Sequence, residues 1–351
     1  MFENTRMIGQ KMMVWYDVNK RHLPWRDVEN PYWIWVSEII LQQTRVVQGL
    51  DYYRRFVEAY PDIFSLANAA IDDVLKIWQG LGYYSRARNM HAAAKQIVDA
   101  HCGKFPETYD GLITIKGIGD YTASAIASFA FRQPVPVIDG NVNRVIARLH
   151  GIQHPINKPA GQKEIRAHAD KMMVRDQPGT YNQAIMEFGA LQCVPQNPDC
   201  SGCIFNRICV AFQSGLVNIL PVKEKTTKIA TRHFHYIYVC FENRTFIRRR
   251  ADGDIWSGLY EFPMIETVAE TEPDALIQTP DWQSYFDGQT PRVVRVSSVI
   301  THRLTHRILK VRFYEIIVDQ PICGNNLIEI PSSDMQRYAV PKVIEEFIKL
   351  L

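Results

Sequence analysis

The chain has 351 residues, 46% of them hydrophobic and 22% charged, with a formal net charge of +3 at neutral pH. That length supports two or three domains with their own cores, and the composition is that of an ordinary soluble globular protein. No apolar run reaches membrane-spanning length, and the opening Met1-Phe2-Glu3-Asn4-Thr5-Arg6 lacks the apolar core of a signal peptide, so a soluble intracellular protein is expected. The mild positive charge permits nucleic-acid binding without arguing for it.

In chain order, the first informative stretch is Leu23-Pro24-Trp25-Arg26, followed by a run from Pro31 to Arg45. On a helix Glu38, Leu41, Gln42 and Arg45 share one face. Two readings stand side by side: a surface Glu38–Arg45 face over core tryptophans, or a functional carboxyl on that face. Residues 72–78 and 87–94 repeat apolar side chains at helical spacing, with breaks at Gly80-Leu81-Gly82 and Phe105-Pro106.

Between Leu112 and Ala123 a Gly-x-Gly turn, Gly117 to Gly119, joins two helical patterns. It serves as a helix connection, and its outward amides at a helix start also suit a phosphate oxygen. Asp139 precedes a helical stretch ending near Gly151, so its simplest role is an N-cap. A carboxylate in that position is expected to stay ionised, because the helix dipole and amides favour the charge.

Cys193, Cys200, Cys203 and Cys209 crowd together with six, two and five residues between them, whereas Cys102, Cys240 and Cys323 are scattered. The scattered three read as small hydrophobes. The crowded four suit one metal centre, and their spacing leaves structural zinc and a cluster both open.

After Leu220 the texture changes. Pro221 to Lys228 is polar and lysine-rich and reads as a linker, taken to span 221–232. Strand patterns follow at 235–241, 245–248 and 293–300, and a final amphipathic helix at 340–348.

The cysteine spacing at the end of a helical region resembles the cluster loop of the endonuclease III superfamily of DNA glycosylases. The Gly117–Gly119 turn resembles its helix-hairpin-helix, with Lys116 standing where proline is usual. That resemblance implies a four-iron four-sulfur (4Fe-4S) cluster on Cys193, Cys200, Cys203 and Cys209, structural and DNA-positioning in role. It also implies that Arg207 is free to face phosphate, and that Lys116, Gly117 and Gly119 contact the DNA backbone. Asp139 matches the catalytic aspartate, with Asn141 placed to orient the sugar and the nucleophile.

The stretch around Glu38 closely matches the adenine DNA glycosylase family, in which the glutamate protonates the leaving base at N7. Where the superfamily's bifunctional lyases carry lysine, two places after the second hairpin glycine, this chain has Tyr121. No Schiff base, and so no strand cleavage, is expected. The family match assigns Trp25, Arg26, Leu41, Val46 and Gln183 to the pocket of a flipped adenine. It assigns Gln43 and Tyr83 to insertion beside the lesion.

Residues 245–263 resemble the family's Nudix-like domain. The segment after Pro263 lacks an Arg-Glu-x-x-Glu-Glu box, so neither pyrophosphatase activity nor a magnesium site is expected. Thr305 and His306 fall where the family reads the damaged guanine with Phe-Ser-His, and Leu304 takes the aromatic's place. The whole implies an all-α glycosylase domain over 1–220, followed by an α+β Nudix-like domain over 233–351. The first comprises a six-helix barrel (about 30–135) and an iron-sulfur lobe from 1–29 and 136–215, with DNA in the cleft between the two. The implied activity is monofunctional excision of adenine opposite 8-oxoguanine or guanine in duplex DNA. A cytoplasmic monomer is expected, on the nucleoid if the source is bacterial, with no membrane association.

Overall fold

The computed structural model describes residues 2–224 and 229–351, so Lys225 to Lys228, the middle of the expected linker, lie outside the described residues. Helices come first: α1 (Phe2–Asn19), α2 (Pro31–Leu41), α3 (Val46–Ala59), α4 (Ile63–Asn68), α5 (Ile71–Trp78) and α6 (Ser85–His101). They continue with α7 (Tyr109–Leu112), α8 (Asp120–Phe129), α9 (Gly140–His150), α10 (Pro159–Met172), α11 (Pro178–Leu191) and α12 (Val210–Gln213). No helix is long and apolar enough to cross a membrane.

Local signals set the helices that matter most. Pro31 opens α2, and the Asn30 side chain accepts the amides of Tyr32 and Trp33, which satisfies donors that a helix start leaves unpaired. Asp139 caps α9 by accepting the Val142 amide, and Gly151 ends it in the left-handed region. α2 is buried along most of its length from Ile34 to Ile40 and packs on α3 and α8. α1, α9, α10 and α11 enclose a second apolar core around Met12, Tyr16, Ile146, Ile165, Tyr181 and Phe188.

The chain divides into two compact units, 1–68 with 89–225 and 69–88 with 226–351. Residues 69–88, read from the sequence within the helical domain, thus cluster with the strands. Asp72 of α5 accepts the Tyr260 hydroxyl at 2.9 Å and pairs with Arg249 at 3.1 Å.

In that second unit β1 (Ala230–Cys240), β2 (Arg244–Arg249), β3 (Tyr260–Glu261) and β4 (Met264–Thr267) precede two short helices, α13 (Pro273–Ile277) and α14 (Pro280–Gln283). β5 (Arg292–Val296), β6 (Ile300–Arg303), β7 (Arg307–Ile317), β8 (Leu327–Pro331) and α15 (Lys342–Ile348) complete it. One sheet has the order β4-β1-β7-β5, with β6 also on β7, and the other β3-β2-β8. β1 runs parallel to β7, from Ala230 opposite Arg307 to Cys240 opposite Ile317. The single strand expected at 293–300 is two. The register shifts between Val293 and Arg295, and the Ser297 hydroxyl accepts the Phe313 amide before β6 resumes pairing with β7.

Candidate active site

A cavity of about 650 Å³ opens in the first unit. α2 supplies Glu38 and Leu41, α8 supplies Tyr121 from its first turn, and the start of α9 supplies Asp139 and Asn141. Trp25 and Arg26 come from the loop before α2, Val46 from the start of α3, and Gln183 from α11. Nine residues singled out in the sequence therefore line one space. Arg144, Met186, Glu187 and Arg21 join them.

Glu38 is 7% exposed. Burial raises its pKa to about 7; the nearby Asp139 adds to the rise, and a hydrogen bond from the Tyr121 hydroxyl to Glu38 Oε2 and the charge of Arg26 oppose it. Such a carboxyl holds a transferable proton at neutral pH. Burial and the neighbouring carboxylates push the Tyr121 phenol well above its ordinary value, so it stays a donor.

Because the tyrosine hydrogen bond favours the ionised glutamate, Tyr121→Phe raises the Glu38 pKa further. An activity needing protonated Glu38 falls as pH rises through about 7, and in Tyr121→Phe this limb moves to higher pH. A pH–rate profile under single-turnover conditions checks this, and a limb that stays put or moves down refutes it.

Asp139 is held from several sides. Its Oδ1 accepts the Val142 amide at 2.7 Å, and its Oδ2 accepts Asn141 Nδ2 at 2.8 Å. Burial nevertheless raises its pKa, outweighing those donors and the Arg144 charge. The expected pull of the helix start toward the ionised form is present but does not win against desolvation.

Arg144 was not anticipated as a site residue. Its guanidinium donates to Asn141 Oδ1 at 2.8 Å, to the Gly189 carbonyl at 2.7 Å and to the Cys193 carbonyl at 2.7 Å. Gly189 permits this closeness, since a Cβ there would stand 2.7 Å from that of Asn141.

Glu187, one turn after Gln183 on α11, was also missed. It is 1% exposed and takes three hydrogen bonds from Arg21 and one, at 2.6 Å, from Arg26 Nη2. Charge-assisted bonds of this kind fix a buried carboxylate and the guanidinium over it.

The other predicted residues lie elsewhere. Lys116, Gly117 and Gly119 form an exposed turn before α8. Gly117 has φ +79°, and a Cβ would meet that of Asn89 at 2.6 Å, while space around Gly119 is open. Gln43 is exposed after α2 with φ +57°, a region few non-glycine residues enter. In the second unit Tyr83 is 45% exposed with φ +48°, and its hydroxyl hydrogen-bonds Thr305. His306 is exposed, whereas Leu304 packs half-buried on the sheet core. Cys193, Cys200, Cys203 and Cys209 line one cavity, with Arg148 beside them and Arg207 exposed.

Two family models match the chain. One describes HhH-GPD superfamily base excision DNA repair proteins and covers residues 36–172; the other is a NUDIX domain and covers 235–350. The adenine DNA glycosylase of Buchnera aphidicola subsp. Schizaphis graminum is 33% identical over 266 residues, spanning 76% of this chain and 77% of that protein. That of Buchnera aphidicola subsp. Baizongia pistaciae is 31% identical over 327 residues, spanning 92% and 90%. Among solved structures, the endonuclease III of a trapped endonuclease III–DNA covalent intermediate superposes with a TM-score of 0.53 at 20% identity. It covers 62% of this chain and 99% of that one.

Proposed function

This chain belongs to the adenine DNA glycosylase family, DNA-acting enzymes of base excision repair, and we propose that it excises adenine opposite 8-oxoguanine or guanine from duplex DNA, as a monofunctional hydrolase. The observation that carries this reading is the meeting of Glu38, Tyr121 and Asp139 in one cavity, with Glu38 poised near pH 7.

The flipped adenine sits among Trp25, Arg26, Leu41, Val46 and Gln183. Glu38 gives its proton to N7, and the C1′–N9 bond breaks with its electron pair leaving on the base. Asp139 as carboxylate stabilises the oxocarbenium ion that remains. Water adds to C1′ and Asp139 takes its proton, with Asn141 holding the carboxylate in place. This division between a protonated and an ionised carboxyl group parallels glycoside hydrolysis. Among the described residues lining the cavity none is lysine, which supports base release without a Schiff base.

The turn at Lys116, Gly117 and Gly119 grips backbone phosphate, Gln43 and Tyr83 enter the duplex beside the lesion, and Thr305 and His306 read the opposite guanine.

The four thiols fit the 4Fe-4S cluster of endonuclease III-like proteins. They form an all-sulfur donor set, Cys203 Sγ accepts the Phe205 amide at 3.4 Å, and Arg148 Nη1 lies 3.5 Å from Cys193 Sγ. The four thiols line one cavity together. Cys193, Cys200, Cys203 and Cys209 would hold the cluster, and once bound it crosslinks this loop. The protein works as a monomer in the cytoplasm, on the nucleoid if the source is bacterial.

Single-turnover reaction of a labelled duplex with adenine opposite 8-oxoguanine, with and without hot alkali, tests the activity. Strand breaks that require alkali are expected. Breaks without alkali indicate lyase chemistry and overturn the monofunctional reading, and intact strands under both conditions overturn the activity.

A further inference from the structure

Tyr16, which no part of the proposed mechanism uses, is 2% exposed on α1. Its hydroxyl accepts Arg26 Nη1 at 2.9 Å and stands 2.7 Å from Gln183 Oε1. The order of donors here is forced from one end. Arg26 cannot accept a hydrogen bond, and its other amino group is committed to the buried Glu187. The phenol oxygen therefore accepts, and its hydrogen goes to Gln183 Oε1. Holding Oε1 on the phenol leaves Nε2, with its two N–H donors, as the free end of the Gln183 carboxamide at the cavity that this residue lines. Rotating the amide would put Nε2 against the phenol oxygen and leave the phenol hydrogen without this acceptor, a costly exchange in a buried place.

We propose that Tyr16 is a specificity-determining positioning residue: by occupying Gln183 Oε1, it makes the pocket present N–H donors to the base. The proposal rests on the reading that this cavity holds the flipped adenine. Adenine's ring nitrogens N1, N3 and N7 all carry lone pairs, whereas hypoxanthine and guanine carry a hydrogen on N1. A fixed donor facing N1 pairs with adenine and confronts a second donor in the others; the discrimination lies at N1 alone. Sites that hydrogen-bond a substrate discriminate strongly, because the wrong partner leaves buried polar groups unpaired.

Single-turnover rates on duplexes with adenine or hypoxanthine opposite guanine test this. Gln183→Ala defines the adenine-to-hypoxanthine ratio without an amide. Tyr16→Phe should lower the wild-type ratio at least 10-fold, to near the Gln183→Ala value, while its thermal midpoint and affinity for abasic product duplex stay close to wild type. Gln183→Glu keeps an oxygen for Tyr16 but turns an acceptor to the base, so it should shift preference toward hypoxanthine even if Tyr16→Phe folds poorly.

A wild-type ratio in Tyr16→Phe beside a lowered one in Gln183→Ala overturns the orienting role. An unchanged ratio in either Gln183 variant shows that this amide does not read the base. Both results presuppose adenine release by the wild type; its absence sinks the underlying reading instead.

Discussion

Glu38→Gln lowers single-turnover adenine release by about 10²–10⁴-fold while the affinity for mismatched duplex stays within a few-fold of wild type. The substitution keeps the size and polarity of the side chain and its contact with the Tyr121 hydroxyl, which donates to Glu38 Oε2. What is lost is the transferable proton. Adenine departs poorly as an anion, so without protonation at N7 the barrier rises by the whole contribution of the acid, typically 10²–10⁴ in rate. Since Glu38 is 7% exposed and has a pKa of about 7, removing a carboxyl that burial disfavours also relieves the folded state at alkaline pH. The variant should melt no lower than wild type at pH 8. Unimpaired base release in Glu38→Gln would remove Glu38 from the acid role, and lost duplex binding would make its part structural.

The sequence made the site legible where local chemistry specifies it. Asp139 and Gly151 bracket α9 as cap and stop signals, and Glu38 sits in a run whose burial follows from its own neighbours. What stayed hidden depends on partners far along the chain. Glu187 binds Arg21 across 166 residues and Arg26 across 161, and Tyr16 meets Gln183 across 167. The four-residue step from Gln183 to Glu187 put both on one helical face, the one signal that pointed there. Residues 69–88 gave no hint of their place with the strands, because Asp72 meets its partner Tyr260 across 188 residues. The break between β5 and β6 was equally silent: it follows from pairing with β7 and the hydroxyl of Ser297, not from propensity.

The second large effect separates the two jobs of Asp139. In Asp139→Asn the side-chain oxygen still accepts the Val142 amide, which now lies at 2.7 Å from Oδ1, and asparagine caps helices as well as aspartate does. The new amide nitrogen would face Asn141 Nδ2, which now donates to Asp139 Oδ2 at 2.8 Å, so a loss of about 1–3 kcal/mol of stability is expected with the cap intact. Burial raises the Asp139 pKa, so an uncharged amide even spares the desolvation of an ion. Catalysis, however, loses the negative charge that faces the oxocarbenium ion and the base that takes the proton from water. A fall in single-turnover rate of about 10²–10⁴-fold is expected. Asp139→Ala should lose both the charge and the cap, adding a lower thermal midpoint to the same kinetic defect. If Asp139→Asn kept its rate while Asp139→Ala lost rate and stability together, the cap would account for Asp139 and the charge would have no part in the reaction.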